Sequence, residues 1–301
     1  MSGQIDLAPF RELYPFESHW FELEGMLGPV MYHYLDQGPR DAPPVVMLHG
    51  NPTWSFYYRD LISQVSETYR VIVPDHIGCG LSDKPQHYSY TLAQHAENVE
   101  RLIGRLGLRD VTLVVHDWGG MIGFRYAVRY PQNIARLVVL NTAAFYQPKL
   151  PRRIKFSRLP VVGEFAVRGL NAFARLALAW AAVHQERLTP QVRAGYLAPY
   201  DSWQNRIAIY RFVQDIPFER RHHTRALLEE VDSKLSCFRQ HPMMIAWGAQ
   251  DFCFTTEHFL SEWQKRFPQA EVHVIEDAGH YVVEDAHERI GPWMLDFMQR
   301  T

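Results

Sequence analysis

Short apolar runs at a regular spacing constrain the fold of this chain more than any other feature. Helix-length segments separate most of these runs, and the strands of a parallel sheet need such crossover connections. The pattern therefore predicts an α/β fold whose mostly parallel central sheet has helices on both faces. The six runs are Val45–Leu48, Arg70–Val73, Val111–Val115, Leu137–Leu140, Met243–Trp247 and Glu271–Ile275.

The alternation is interrupted once, between the fourth and fifth runs. From Ala144 to about Leu235 no strand-like run occurs, and capping residues before helical patterns suggest helix starts at Thr189-Pro190 and Asp201-Ser202. We interpret this insertion as a helical cap over the carboxyl edge of the sheet, where open α/β sheets bind ligands. The predicted domains are a core of residues 1–145 and 236–301 and a cap of residues 146–235.

Composition excludes several classes of protein. With 301 residues, 47% of them hydrophobic, the chain can bury one large core, and its net charge of −2 argues against nucleic acid as the main partner. Its three cysteines, Cys79, Cys237 and Cys253, lack metal-type spacing and favour a cytoplasmic location. The most apolar stretch, Leu170–Val183, is too short to cross a bilayer and predicts a buried or groove-lining helix.

The third run ends at an acidic residue that is followed by Trp-Gly-Gly. This order predicts a strand, a sharp turn that carries Asp117, and the start of a helix. An acid at such a turn often caps the helix. Alternatively its carboxylate is a nucleophile that attacks an electrophilic carbon, forms an alkyl ester and expels an anion.

Residues elsewhere in the chain favour the nucleophile. Asp251 lies just past the fifth run and His280 lies in the loop after the sixth, so a nucleophile, an acid and a histidine follow one another at strand ends. The side-chain amide of Asn51 and the indole N–H of Trp118 are candidate donors to the departing anion, and their backbone N–H groups add two more. Read separately, Asn51 is a turn residue and Trp118 a core aromatic. We predict neither a metal site nor a cofactor.

Three segments resemble the haloalkane dehalogenase group of α/β-hydrolases: His-Gly-Asn-Pro-Thr-Trp at 49–54, Asp-His-Ile-Gly-Cys-Gly-Leu-Ser-Asp-Lys-Pro at 75–85 and His-Asp-Trp-Gly-Gly at 116–120. The resemblance covers nearly the whole chain and implies an α/β-hydrolase fold with a cap after the sixth core strand. It also implies that Asp117 is the nucleophile and that Asn51 and Trp118 hold the leaving group. One branch places its triad acid after the sixth strand, where this chain has Asn141, so the acid is assigned to Asp251.

The acid at Asp251, the pair Asn51 and Trp118, and the cap segment Ala198–Trp203 together resemble the third dehalogenase branch. That branch includes the bacterial olefin-biosynthesis β-lactone decarboxylases, which convert cis-3-alkyl-4-alkyloxetan-2-ones to cis-alkenes and carbon dioxide. The resemblance implies a small hydrophobic substrate with long alkyl chains, and it raises the prospect of a complex with other olefin-biosynthesis enzymes. The small and bulky apolar residues of Phe173–Val183 favour a long hydrocarbon groove. We therefore expect a β-lactone decarboxylase, with haloalkane dehalogenase as the alternative.

Two further alternatives stay open on the sequence. Epoxide hydrolases share the His-Asp-Trp-Gly-Gly segment but lack an asparagine matching Asn51, and they protonate the epoxide oxygen with cap tyrosines, for which Tyr196, Tyr200 and Tyr210 are candidates. A non-enzymatic ligand receptor on the same fold is disfavoured by the intact catalytic set. The basic run Lys149–Arg158 is interpreted as a solvated face, or as a docking patch for an acidic partner or an anionic surface.

Overall fold

A twisted sheet forms the centre of the protein. The computed structural model describes residues 5–147, 158–159, 161–217, 219 and 221–301, and these residues contain eight strands. The strands are β1 (Ser18–Gly25), β2 (Gly28–Gln37), β3 (Pro44–Leu48), β4 (Arg70–Pro74), β5 (Val111–Asp117), β6 (Ile134–Thr142), β7 (Met243–Gly248) and β8 (Glu271–Ile275).

The strand order is β1-β2-β4-β3-β5-β6-β7-β8. Strand β2 is antiparallel to β1 and to β4, and every other neighbouring pair is parallel. The six predicted runs correspond to β3–β8, so the parallel part of the sheet is confirmed. The β1–β2 hairpin was not predicted, because its strands keep polar side chains on an exposed face and so do not form continuous apolar runs.

Helices cover both faces of the sheet, as predicted. Helices α2 and α3 pack together on one face, and α1 and α9 pack together on the other. The helices of the described residues are α1 (Arg59–Val65), α2 (Leu92–Leu106), α3 (Trp118–Ala127), α4 (Ala172–Trp180), α5 (Pro190–Leu197), α6 (Ile207–Gln214), α7 (His223–Lys234), α8 (Ser261–Arg266) and α9 (Val282–Arg300), with a short stretch Val162–Glu164 leading into the π-helical turn Phe165–Gly169.

Between β6 and β7 the described residues form helices and turns without a strand, as expected for the cap. Thr189 caps α5 by accepting a hydrogen bond from the N–H of Val192 at 3.3 Å. The hydroxyl oxygen of Ser202 accepts a hydrogen bond from the N–H of Asn205 at 3.2 Å. The helix predicted there begins as the 3₁₀ turn Gln204–Arg206, which leads into α6. The domain bounds at 146 and 235 stay predictions. Residues 149–157 of the basic run lie outside the described residues.

A buried ion pair connects the core helices to the cap. Arg59 at the start of α1 donates two hydrogen bonds to the carboxylate of Glu284 in α9, the longer of them 2.9 Å. The hydroxyl of Tyr196, from cap helix α5, donates to the same carboxylate. Because both charged groups are buried, removing one partner would leave the other charge without its main compensation.

We expect Glu284→Gln to lower the free energy of unfolding by about 3 kcal/mol, because the buried Arg59 would lose its two-bond partner and keep only the partly exposed carboxylate of Asp60, at 3.3 Å. Urea denaturation followed by circular dichroism measures the change. Glu288→Gln is the matched control one turn later in α9, where the carboxylate forms a partly exposed ion pair with Arg187 and should contribute less than about 1 kcal/mol. Equal losses in the two variants would contradict the assignment.

Candidate active site

Asp117 lies on a sharp turn between β5 and α3, with φ 50° and ψ −125°. Positive φ is uncommon for a residue with a side chain and is often found at functional sites. Positions 119 and 120 must be glycine, because the turn leaves no room for a side chain at either of them. A Cβ atom on Gly119 would lie 2.0 Å from the carbonyl oxygen of Leu48, and one on Gly120 would lie 1.9 Å from Oγ1 of Thr142. The strand, turn and helix predicted around Asp117 are therefore present.

The two oxygens of the Asp117 carboxylate have different surroundings. Oδ1 accepts a hydrogen bond from the backbone N–H of Asn51 at 2.7 Å, and the N–H of Trp118 also bonds to the carboxylate. Oδ2 lies 3.6 Å from Nε2 of His280. From the sequence, these two N–H groups are candidate donors to a departing anion. That prediction was wrong, because the loop after β3 and the turn at Asp117 direct these two N–H groups at the Asp117 carboxylate instead.

Burial raises the pKa of Asp117 above its ordinary value, since a carboxylate in this cavity has lost most of its water. The charge of His280 and the N–H groups of Asn51 and Trp118 limit the rise. The site therefore holds a carboxylate that is poorly hydrated, which favours attack on a carbon atom.

His280 is oriented by Asp251, as the sequence predicted. Its Nδ1 lies 2.8 Å from Oδ2 of Asp251, and Oδ1 of that carboxylate accepts the N–H groups of Cys253 at 2.6 Å and Phe254 at 2.9 Å. Burial alone would lower the pKa of His280, but the charges of Asp251 and Asp117 and the hydrogen bond to Asp251 raise it overall. The imidazole therefore holds a proton more readily than a free histidine does.

Three residues that support this arrangement were not assigned a role from the sequence. Asn141, near the end of β6, donates to Oδ2 of Asp251 at 2.9 Å, so an amide at the end of β6 holds the carboxylate that follows β7. His116 donates from Nε2 to the main-chain oxygen of His280 at 2.8 Å, and Thr142 donates from its hydroxyl to the main-chain oxygen of Asp117. These bonds join the carboxyl ends of β5 and β6 to each other and to the loops after β7 and β8, and no local pattern in the sequence indicates them.

The cap contacts both candidate side-chain donors. The amide nitrogen of Asn51 donates to the carbonyl oxygen of Ile209 in α6 at 3.3 Å, and its second hydrogen remains for a ligand. The indole of Trp118 packs against Phe212 of the same helix, with ring centroids 5.2 Å apart. Both residues line the cavity beside Asp117. The structure therefore brings together all five predicted site residues.

A cavity of about 380 Å³ opens at the Asp117 carboxylate. The inner face of α4 forms one wall, so the helix predicted within Leu170–Val183 does line a groove. Most of the remaining wall is apolar, and its larger members are Met121, Phe145, Val167, Phe173, Leu176, Trp180, Val213, Ile216, Leu228, Phe252, Phe254 and Phe259. A site of this kind suits a hydrocarbon ligand with one polar group.

The three candidate tyrosines of an epoxide hydrolase do not line this cavity. Tyr196 donates to Glu284, and Tyr200 donates to the carbonyl oxygen of Thr53 at 3.2 Å. Tyr146 and Tyr281 line the cavity instead. The geometry thus provides no cap tyrosine of the predicted kind to protonate an epoxide oxygen.

One group with the spacing of metal ligands occurs in the described part of the chain, formed by Asp215, His222 and His223. Asp215 accepts hydrogen bonds from the N–H of Leu92 at 2.7 Å and from the hydroxyl of Thr224 at 2.6 Å, at the starts of α2 and α7. None of the three residues lines the cavity. The described helices include none that is long and apolar enough to span a bilayer.

The chain belongs to the α/β-hydrolase family, whose sequence profile it matches over residues 43–286. It is 44% identical to a cis-3-alkyl-4-alkyloxetan-2-one decarboxylase of Shewanella oneidensis, over 96% of this chain and 90% of that protein. The protein of the same name in Xanthomonas campestris is 46% identical over 89% and 92% of the two chains. The crystal structure of the haloalkane dehalogenase DatA from Agrobacterium tumefaciens superposes with a TM-score of 0.82 at 25% identity, covering 94% and 97% of the two chains. The predicted fold and family resemblance are confirmed.

We expect Asp117→Asn to raise the thermal unfolding midpoint near neutral pH. The folded-state pKa of Asp117 is raised, so ionisation destabilises the folded protein once the pH exceeds the unfolded value near 3.8. Below that pH the acid is protonated in both states, and the difference between variant and wild type should vanish. Calorimetry across this pH range measures it.

Asp277→Asn is a control for which a rise in the thermal unfolding midpoint is not expected. Its hydrogen bond from Arg289 lowers the pKa of Asp277 to about 2, so this ionised carboxylate stabilises the fold above the unfolded pKa. The variant should lower the midpoint or leave it unchanged. A lower midpoint for Asp117→Asn at neutral pH would show that burial does not dominate at Asp117.

Proposed function

We propose that this protein is a β-lactone decarboxylase that converts cis-3-alkyl-4-alkyloxetan-2-ones with long alkyl chains to cis-alkenes and carbon dioxide. Asp117 is the nucleophile, His280 and Asp251 complete the triad, and Asn51 and Trp118 bind the leaving group. The observation that carries the proposal is the apolar cavity at the free oxygen of Asp117. Its support is the near full-length similarity to proteins that bear this name.

The first step opens the lactone ring. Oδ2 of Asp117 attacks ring carbon 4, the saturated carbon that carries the ring oxygen, and forms an alkyl ester with inversion at that carbon. The carbon–oxygen bond of the ring breaks, and its electron pair leaves with the oxygen as a carboxylate that remains attached through ring carbon 3. The Asn51 amide and the Trp118 indole N–H stabilise this new anion.

The second step removes carbon dioxide. The bond between ring carbon 3 and the carboxylate breaks, and its electron pair forms the carbon–carbon double bond. The ester bond to Asp117 breaks at the same time, which regenerates the aspartate carboxylate. No water is consumed and no net proton is transferred. His280, held by Asp251 and 3.6 Å from Asp117, then stabilises the carboxylate electrostatically.

Haloalkane dehalogenation is the alternative function, because the same triad geometry serves it. Asp117 would displace a halide from a saturated carbon, and Asn51 and Trp118 would bind that halide. A water molecule activated by His280 would then hydrolyse the ester. The two functions differ in the second step, so they are separated by whether water oxygen enters Asp117.

We further propose a cytoplasmic setting, which the three unpaired cysteines support. A complex with other olefin-biosynthesis enzymes is part of the same proposal. The long-chain lactone and the alkene are both poorly soluble in water, so transfer between contacting enzymes would suit this chemistry.

We expect Asp117→Asn to reduce turnover of a long-chain cis-β-lactone by more than about 1000-fold, because no other carboxylate reaches the substrate. Gas chromatography of the alkene measures turnover. Mass spectrometry of acid-quenched wild type should detect an alkyl ester on Asp117. Asp277→Asn, an exposed carboxylate outside the cavity, should retain activity. An active Asp117→Asn enzyme would exclude Asp117 as the nucleophile.

A pure cis-β-lactone should give only the cis-alkene, with no ¹⁸O from labelled water in Asp117. Inversion at ring carbon 4 followed by anti elimination equals a net syn loss, which preserves the cis arrangement. Chromatography of the product and mass spectrometry of the peptide containing Asp117 check both points. A main product of trans-alkene or β-hydroxy acid would contradict the mechanism. Halide release from 1-haloalkanes at a comparable rate, with ¹⁸O in Asp117, would favour the dehalogenase.

A further inference from the structure

Exposed apolar side chains concentrate on one segment of the cap. Eight of the fourteen large apolar side chains that are exposed in the described residues come from residues 159–183. We call these eight the cap patch: Leu159, Val161, Val162, Phe165, Leu170, Leu176, Trp180 and Val183. Soluble proteins rarely expose so many neighbouring apolar groups unless the surface binds something.

The cap patch is continuous with the active-site cavity. Leu176 and Trp180 line the cavity and are nevertheless 41% and 45% exposed. Both belong to α4, whose inner residues Phe173 and Ala177 also line the cavity. A helix that is apolar around its circumference is normally buried or in contact with lipid, and here one face of α4 is open to solvent. The patch therefore surrounds part of the route into the cavity.

The charges along this segment are mainly positive. In the described part of residues 158–183 the charged side chains are Arg158, Glu164, Arg168 and Arg175. Glu164 forms an ion pair with Arg168 at 2.8 Å, which neutralises the one acidic group. Arg175 is exposed on α4 and forms no ion pair with a described residue. Exposed aromatic and aliphatic groups beside cations are typical of helices that bind at anionic bilayer surfaces.

We propose that the cap patch docks on the surface of an anionic phospholipid bilayer and directs the cavity mouth at the lipid. The inference rests in part on the proposed function, because a long-chain lactone and an alkene both partition into lipid. Docking would let the substrate pass from the bilayer into the cavity without crossing water. Arg175 would contact lipid phosphates, and Phe165 and Leu170 would insert among the acyl chains near the headgroups.

Co-sedimentation of the whole protein with vesicles, in the absence of any substrate, tests the docking. Wild type should sediment with phosphatidylcholine vesicles that contain about one third phosphatidylglycerol, and less with pure phosphatidylcholine or at high salt. The double variant Phe165→Glu and Leu170→Glu replaces patch residues that do not line the cavity. Its partition coefficient for the anionic vesicles should fall at least about tenfold, because two buried carboxylates oppose insertion.

The control replaces Met26 and Leu27 with glutamate in the turn between β1 and β2. These two side chains are more exposed, at 76% and 82%, than Phe165 and Leu170, at 57% and 59%. The control should bind vesicles as wild type does, which separates docking by the patch from general surface hydrophobicity. Both double variants should turn over detergent-dispersed lactone as wild type does, so a failure of docking is distinguishable from a failure of the proposed reaction.

Three results would overturn the proposal. Wild type that stays in the supernatant with anionic vesicles excludes docking. If the control variant lost as much vesicle binding as the patch variant, the binding would depend on the overall charge or hydrophobicity of the protein surface and not on the cap patch. Self-association that the patch variant abolishes, together with no vesicle binding, would assign the patch to contact with a second copy of this chain.

Discussion

The arrangement of the site depends on keeping an ionised carboxylate among hydrocarbon side chains. Burial raises the pKa of Asp117, and an uncompensated charge there would simply take up a proton. Two backbone N–H groups and the charge of His280 oppose that change. The loop after β3 supplies the N–H of Asn51, and the turn that carries Asp117 supplies that of Trp118. This turn exists because Gly119 and Gly120 let α3 approach β3 and β6 closely. The site thus accepts a local loss of stability in order to hold a poorly hydrated carboxylate, as the proposed nucleophilic role of Asp117 requires.

The cap is part of the site rather than a separate cover. The carbonyl oxygen of Ile209 accepts from the Asn51 amide, and Phe212 packs on the Trp118 indole, so α6 orients both candidate donors. The buried pair of Arg59 and Glu284 extends to the cap as well, through Tyr196. Displacement of the cap would therefore disturb the orientation of these two side chains together with the cavity wall. The outer face of α4 extends the same apolar surface to the solvent.

Decarboxylation of a lactone and hydrolysis of a haloalkane require the same first step, which explains why one arrangement of residues is compatible with both. In each proposed reaction the carboxylate of Asp117 displaces an anion from a saturated carbon, and Asn51 and Trp118 are the proposed donors to that anion. The second steps differ. Loss of carbon dioxide from the tethered carboxylate breaks the ester bond without water, whereas the ester left after halide departure must be hydrolysed. Substrate shape and the apolar cavity, more than the triad, then distinguish the two activities.

The sequence by itself determined the strands of the parallel sheet, the turn at Asp117, the order of Asp117, Asp251 and His280, and the position of the cap. These are properties of local patterns: apolar runs, glycines after an acid and capping residues. Only the tertiary structure decided that the N–H groups of Asn51 and Trp118 hold Asp117, and that Asn141 holds the acid. That Tyr196, Tyr200 and Tyr210 lie outside the cavity lining was likewise decided only by the folded chain. These outcomes depend on side-chain directions and on contacts between residues far apart in the chain, which no local pattern encodes.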